Sequence, residues 1–280
     1  MPPQPLRLML TEPAPAKINL ALHLRRRRPD GYHDLETVFA FTDFGDRLTG
    51  AVGEGLSLTL SGPTADAADV GDDNLVLRAA RALAAAAGVP ARAQLHLDKR
   101  IPVAAGLGGG SADAAAALRL LNRLWELDWP LEQLAALAAP LGADVPVCVF
   151  SRTLYGAGKG EALSAWPVRF AGTPVLLVNP GVAVPTGRVF AGWDGLDRGG
   201  ITPGAALVDL RNDMTPAAIA IAPAIAEVLA TLAGAPGVTL ARMSGSGATC
   251  LALFTDAAAR DAAAATLAGR GWWQAATRII

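Results

Sequence analysis

Between residues 98 and 120 the chain reads DKRIPVAAGLGGGSADAAAALRL, and the order of residue types there restricts the fold more than any other stretch. Just upstream, Ala93, Leu95 and Leu97 alternate with Gln94, His96 and Asp98, the period of two expected of a half-buried strand. Pro102 cannot donate to a ladder and ends the pairing. Gly106, Gly108, Gly109 and Gly110 then place four glycines in five positions, where the backbone can take positive φ and approach a ligand with no Cβ in the way. Ser111 is placed to cap a helix predicted over residues 112–124, and Asp113 in its first turn suits the positive end of that helix. Such a helix start, with the flanking glycine amides, makes a cradle for phosphate. A glycine-rich turn into an alanine helix would read the same way, but the glycine density before a capped helix favours anion binding.

Two familiar phosphate-loop patterns are absent. No lysine follows Gly110, as a P-loop requires. A dinucleotide fingerprint starting at Gly106 finds Ser111 where its third glycine belongs.

At 280 residues the chain is long enough for one large or two medium domains. Mean hydropathy is positive because of alanine, yet no uninterrupted apolar run reaches the ~18 residues of a membrane span. The opening MPPQPLRLML lacks the charged start and apolar core of a signal peptide. Cys148 and Cys250 stand far apart in segments that read as apolar strands, so buried thiols in a cytoplasmic protein are expected. With 24 basic and 25 acidic residues, the net charge of −1 argues against nucleic-acid binding, which needs uncompensated cations.

Residues 1–15 hold five prolines and predict an extended lead-in. Over residues 17–24, Ile18, Leu20, Leu22 and Leu24 share one strand face, while Lys17, Asn19, Ala21 and His23 share the other, which reads as a wet edge. Arg25 to Arg28 precede a Pro29-Asp30-Gly31 turn and read as a solvated hairpin tip. Tyr32 and His33 follow; they suit stacking on a nucleobase, or are an ordinary structural tyrosine and surface histidine. Asn74 is a cap for a helix ending at Gly88. Pro130 opens a helix with Leu131, Leu134 and Leu137 inward. Asp144, in Gly142-Ala143-Asp144-Val145-Pro146, stands ahead of a strand predicted over residues 147–150 and is costly to bury unpaired. Further on come strands near 175–178, 238–243, 249–254 and 272–279, with helices around 217–232, an α+β layer with its boundary near residues 166 and 167.

Three strings resemble the motifs of the GHMP kinases. Pro15-Ala16-Lys17-Ile18-Asn19-Leu20 is similar to the first and Pro102-x3-Gly106-Leu107-Gly108-Gly109-Gly110-Ser111 to the phosphate loop. Met243-Ser244-Gly245-Ser246-Gly247-Ala248, after Arg242, resembles the third. Asp30-Gly31-Tyr32-His33 and Gly142-Ala143-Asp144-Val145-Pro146 resemble one branch of that family, in which the first of these strings recognises cytosine and the second carries the catalytic aspartate. One departure is that Ala104 and Ala105 stand where the branch has glycines, which predicts a stiffer loop edge.

The resemblance implies an α+β, two-domain GHMP kinase fold. Its ribosomal-protein-S5-like β/α domain would cover residues 1–167 and its ferredoxin-like α+β domain residues 168–280. It implies phosphoryl transfer from ATP, with Mg2+, to an alcohol on a small cytidine-bearing substrate, with no nucleic-acid or membrane partner. Lys17 and Asp144 would be catalytic. Pro102, Val103, Ala104, Ala105, Gly106, Leu107, Gly108, Gly109, Gly110, Ser111 and Ala112 would hold ATP. Asn19, Tyr32, His33, Thr186 and Phe190 would hold the acceptor. Asp73-Asn74-Leu75 would border the adenosine; no metal ligands are identified beyond Ser111 as a candidate. Homoserine- or mevalonate-type kinases, or a non-catalytic binding relative, are the alternatives.

Overall fold

Two long strands begin the fold of the computed structural model, which describes residues 9–68 and 71–280. The first eight residues of the proline-rich lead-in lie outside these. β1 (Leu10–Arg27) and β2 (His33–Ala51) pair with each other around a turn in which Asp30 accepts from the Tyr32 amide and Gly31 takes φ +84°. The chain divides into two units interleaved in sequence. One comprises residues up to Pro15, Gly45–Val103 and Gly109–Phe150; the other comprises Ala16–Phe44, Ala104–Gly108 and Ser151–Ile280.

In the first unit, β3 (Leu56–Ser61), α1 (Leu75–Ala87) and β4 (Ala93–Asp98) form a parallel strand pair joined by a helix, and β4 also pairs antiparallel with residues 47–51 of β2. The Asn74 side chain caps α1 by accepting from the Val76 amide at 2.9 Å, and Gly88 closes it at φ +68°. α2 (Gly109–Leu124) starts two residues before Ser111, so that serine lies inside the first turn and does not cap the helix. Its alanines at 114–117 are wholly buried, small enough for α1 and α4 to pack closely on either side.

α3 (Leu131–Ala138) buries Leu134 and Ala138 but turns Leu131 outward, against expectation. Residues 145–150 also depart from the sequence reading: they form a helix, α4 (Val145–Phe150), not a strand. The apolar run over residues 147–150 suggested a strand, but Pro146 falls in a first turn, where its missing N–H costs nothing, and tertiary packing buries Val145 to Val149 on all sides. Cys148 is therefore a buried thiol on a helix, whereas Cys250 lies in a strand as expected. Arg119 of α2 donates to the Cys148 and Val149 carbonyls at the end of α4, to Pro13 O and to Glu12, tying three elements together.

In the second unit, residues 37–39 of β2 pair with β5 (Leu154–Ala157), which pairs with β6 (Ala162–Ala165). A separate antiparallel sheet follows, of β7 (Pro174–Asn179), β8 (Val238–Met243), β9 (Cys250–Phe254) and β10 (Trp273–Arg278) in spatial order β10-β7-β9-β8. Between β7 and β8 run α5 (Thr186–Ala191), α6 (Thr215–Ile221) and α7 (Ala224–Ala233), and α8 (Ala257–Thr266) precedes β10. Leu176, Val178, Ile225, Val228, Cys250 and Phe254 form the centre of this core. The layered strands and helices make an α+β fold, and no helix of the described residues is long and apolar enough to cross a membrane.

Removing the α1 cap tests the local reading. Asn74→Ala should lower unfolding free energy by about 1 kcal/mol, read from the urea midpoint at unchanged slope.

Candidate active site

The backbone of the glycine loop is held by its carbonyls. Leu107 O accepts from the Lys17 amide at 2.9 Å, Gly106 O from the Ser244 hydroxyl at 3.1 Å, and Ala105 O from the Thr249 hydroxyl at 2.6 Å. In a trans peptide the N–H points opposite its C=O, so the amides of Gly106, Leu107 and Gly108 turn away from these donors. Gly106 and Gly108 take φ +78° and +64°. A Cβ on Gly106 would sit 2.5 Å from Gly247 O, so that position requires bare backbone, while one on Gly108 would crowd Lys17 Cε at 3.1 Å. Ala104 adopts φ +56°, the conformation a glycine takes at little cost and an alanine at ~1–2 kcal/mol.

Lys17 and Asn19 lie on β1 facing the same way, but their face is not wet. Lys17 is 5% exposed and Asn19 3%. Lys17 Nζ donates to Asn19 Oδ1 at 3.0 Å and lies 5.6 Å from the centre of the Phe39 ring. Asn19 Nδ2 donates to Thr37, and the Asn19 amide to Ser244 Oγ. His23, further along the same face, is also buried. Its Nδ1 donates to Gly199 O and its Nε2 accepts from the Arg211 amide, which requires the neutral ring; burial, then Arg211, lowers its pKa.

The string of the third motif, residues 243–248, is braced by residues the sequence reading passed over. Asn212 Nδ2 donates to Met243 O at 2.7 Å and to Gly245 O at 2.8 Å. Arg242, 8% exposed, donates to the carbonyls of Leu20, Leu207 and Leu210, and burial brings its pKa down to about 10. The Thr186 and Ser246 hydroxyls are 2.9 Å apart. An arginine directly before the motif and an asparagine in Arg211-Asn212-Asp213 were the available signals, but both types are common in surface loops.

Tyr32, His33, Thr186 and Phe190 come together around one cavity of about 470 Å3, with Arg27, Gly31, Gly187 and Ala191. The His33 and Phe190 ring centres are 5.0 Å apart, and Trp193 meets His33 edge-on at 5.7 Å. His33 Nε2 is buried without a hydrogen-bond partner in the chain. Burial, then the Arg27 cation, lowers the His33 pKa, so its ring is neutral at pH 7. Arg27 donates to Ala191 O and Trp193 O at the end of α5. The other arginines of the run are paired as well, Arg25 with Glu36 and Asp197, and Arg26 and Arg28 with Asp34. The tip is therefore a lattice of ion pairs and not a free basic patch.

In the first unit, Pro102 and Val103 precede the loop, and Gly109, Gly110, Ser111 and Ala112 form the first turn of α2. Asp113 does not face solvent at that end. It is 4% exposed and meets Lys99 Nζ at 2.7 Å, while Asp46 meets the same nitrogen at 2.5 Å and also accepts from the Arg100 and Ile101 amides. Burial pushes the Asp113 carboxyl up to about 8, against the pull of Lys99. Burial alone would lower the Lys99 pKa, but Asp113 and Asp46 outweigh it and raise it. Asp144 is half-buried directly before α4, and its carbonyl accepts from the Cys148 amide at 3.2 Å.

Residues 74–152 match the model for the N-terminal domain of GHMP kinases, and residues 196–271 the model for their C-terminal domain. A protein of Rhizorhabdus wittichii named 4-diphosphocytidyl-2-C-methyl-D-erythritol kinase is 53% identical over 96% of this chain and 94% of its own length. One of the same name from Rhodospirillum rubrum is 47% identical over 96% of this chain and 92% of its own. The crystal structure of a 4-(cytidine 5'-diphospho)-2C-methyl-D-erythritol kinase, 34% identical, superposes with a TM-score of 0.77 over 96% of this chain and 99% of that one. A homoserine kinase from Cytophaga hutchinsonii shares the fold at 16% identity and a TM-score of 0.72 over the whole of both chains.

The buried carboxyl gives a pH signature. Asp113 ordinarily titrates at 3.8 and in the folded chain at about 8, so across that interval the folded state binds the extra proton. Its stabilising contribution is whole below the lower value and is lost as pH rises through the upper one. Asp113→Asn should therefore lose less stability than wild type between about pH 5 and pH 8, followed by the urea midpoint at each pH.

Proposed function

The chain belongs to the GHMP kinase family, and from that premise we propose that it transfers the γ-phosphoryl group of ATP to the 2-hydroxyl of 4-diphosphocytidyl-2-C-methyl-D-erythritol, in the methylerythritol phosphate route to isoprenoid precursors. The observation that carries the choice of acceptor is the cavity of Tyr32, His33, Thr186 and Phe190, in a chain about half identical to relatives bearing that kinase's name. Homoserine and mevalonate kinases share the fold at only 16% and 10% identity, and the cytosine-reading string favours neither. We place the reaction in the cytoplasm, where ATP is supplied.

Phosphoryl transfer asks a protein mainly to position two reactants and to offset spreading negative charge. The amides of residues 106–111 hold the ATP phosphates: the captured carbonyls leave the N–H groups of residues 106–108 aimed outward, and Gly106, Gly108, Gly109 and Gly110 set no Cβ in the way. Lys17 stabilises the charge that develops on the acceptor oxygen and the transferred group, and Asn19 holds the acceptor beside it. Asp144 orients the acceptor hydroxyl and takes its proton. In the cavity, neutral His33 offers one donor and one acceptor nitrogen, matching the hydrogen-bonding edge of cytosine, and its unpartnered Nε2 is the atom such a base would satisfy. Tyr32, with Lys159 Nζ 4.4 Å from its ring centre, and Phe190 supply the flat faces for stacking.

Magnesium, bound with ATP, would neutralise part of the phosphate charge. Among the described residues no three of His, Cys, Asp and Glu are grouped to hold a metal. Ser111, the one hydroxyl of residues 102–112, would be the side chain to hold it.

Purified protein with ATP, Mg2+ and the cytidyl substrate should release ADP and yield a product heavier by one phosphate. Neither should occur when the substrate is replaced by homoserine or mevalonate. Lys17→Ala and Asp144→Asn should each lower kcat by ~10²–10³-fold in a folded protein. Tyr32→Ala should mainly raise KM for the cytidyl substrate; wild-type KM in that variant would remove the cytosine reading.

A further inference from the structure

Asn19 carries chemically opposite ends on one flat amide, and only its oxygen can accept from the Lys17 ammonium. Rotated by half a turn, the amide would set donor against donor at that spot. The backbone cannot prevent this, because the bond from the Asn19 amide to Ser244 Oγ fixes the main chain and not the side chain. Thr37 of β2 does prevent it. Its hydroxyl has a single proton, which it donates to Ala21 O at 2.6 Å. Towards Asn19 it can therefore only accept, and the group 2.8 Å away must be the amide nitrogen. The oxygen is thereby turned to Lys17 Nζ, at 3.0 Å. Thr37 is wholly buried and Asn19 nearly so, which leaves no room for solvent to take over the hydroxyl's part. Two residues along the same strand, Phe39 places its ring beside the same ammonium.

We infer that Thr37 is a positioning residue for phosphoryl transfer. A one-directional series of hydrogen bonds, from Lys17 through Asn19 and Thr37 to the Ala21 carbonyl, keeps the Asn19 oxygen on the Lys17 ammonium. The inference rests on the catalytic reading of Lys17 given above.

The decisive variant is Thr37→Val, which keeps shape and removes the hydroxyl. With a buried amide left unsatisfied and free to turn, kcat should fall roughly 10- to 100-fold while KM for ATP stays within about twofold. Thr37→Ser, which retains the hydroxyl, should restore kcat to within a few-fold of wild type. In an Asn19→Ala background Thr37→Val should cost nothing further, because Thr37 acts only through Asn19. Should the valine protein not fold, Thr37→Cys, close in volume and only a weak acceptor, carries the same comparison. Wild-type kcat in Thr37→Val, or a loss that recurs in full in the Asn19→Ala background, would overturn the inference. Lys17→Ala measured alongside separates the two readings. An active Lys17→Ala protein removes the role of Lys17 itself, whereas an inactive one beside a fully active Thr37→Val protein removes only that of Thr37.

Discussion

Three carbonyl groups, on Ala105, Gly106 and Leu107, are gripped by Thr249, Ser244 and the Lys17 amide. A phosphate loop needs its N–H groups free for the ligand, and a peptide plane has only two sides. Binding the oxygens on one side commits the hydrogens to the other. The grip also links strings far apart in sequence, because its donors belong to the segments around Lys17 and Ser244. Each further brace in that unit serves it: Asn212 holds Met243 and Gly245, and Arg242 holds Leu20 three residues beyond Lys17.

Where the first unit takes over the chain at Gly109, the problem is different. Two carboxylates and one ammonium are sealed together beneath the start of α2. Burying charge is expensive unless it is paired, and here one cation serves two acids, so the raised Asp113 carboxyl shares out the deficit as a retained proton. The arrangement fixes the end of β4 against α2. The side chain that reads as a favourable surface acid is instead part of the core.

Much of this was legible in the residues. The alternation over 93–98, the Asn74 cap, the Gly88 stop and the positive φ of Gly106 and Gly108 all act locally, and local preference predicted them correctly, whereas Gly109 and Gly110 belong to α2. Tyr32, His33, Thr186 and Phe190 line one cavity although they are far apart in sequence. The misreadings have a common cause. The apolar run over 147–150, Asp113, Leu131 and the polar face of β1 were judged by pattern and polarity, and tertiary packing decided otherwise. Thr37, Asn212 and Arg242 left no local signature, because what they do depends on partners that only folding brings near.

The interleaving of the two units bears on how the chain acquires its structure. Neither unit is a continuous piece: β1 and β2 each begin or end in one and continue in the other, and β2 pairs through Thr37 with Gly156 of β5, far along the chain. Contacts of such long sequence separation must be made before loop closure is repaid, which slows folding and keeps apolar strand edges open meanwhile. A fragment cut at any single peptide bond between residues 16 and 150 would leave at least one unit lacking a segment. The chain should thus resist dissection into independently folding halves, and a shared pair of strands gives damage to one unit a direct route into the other.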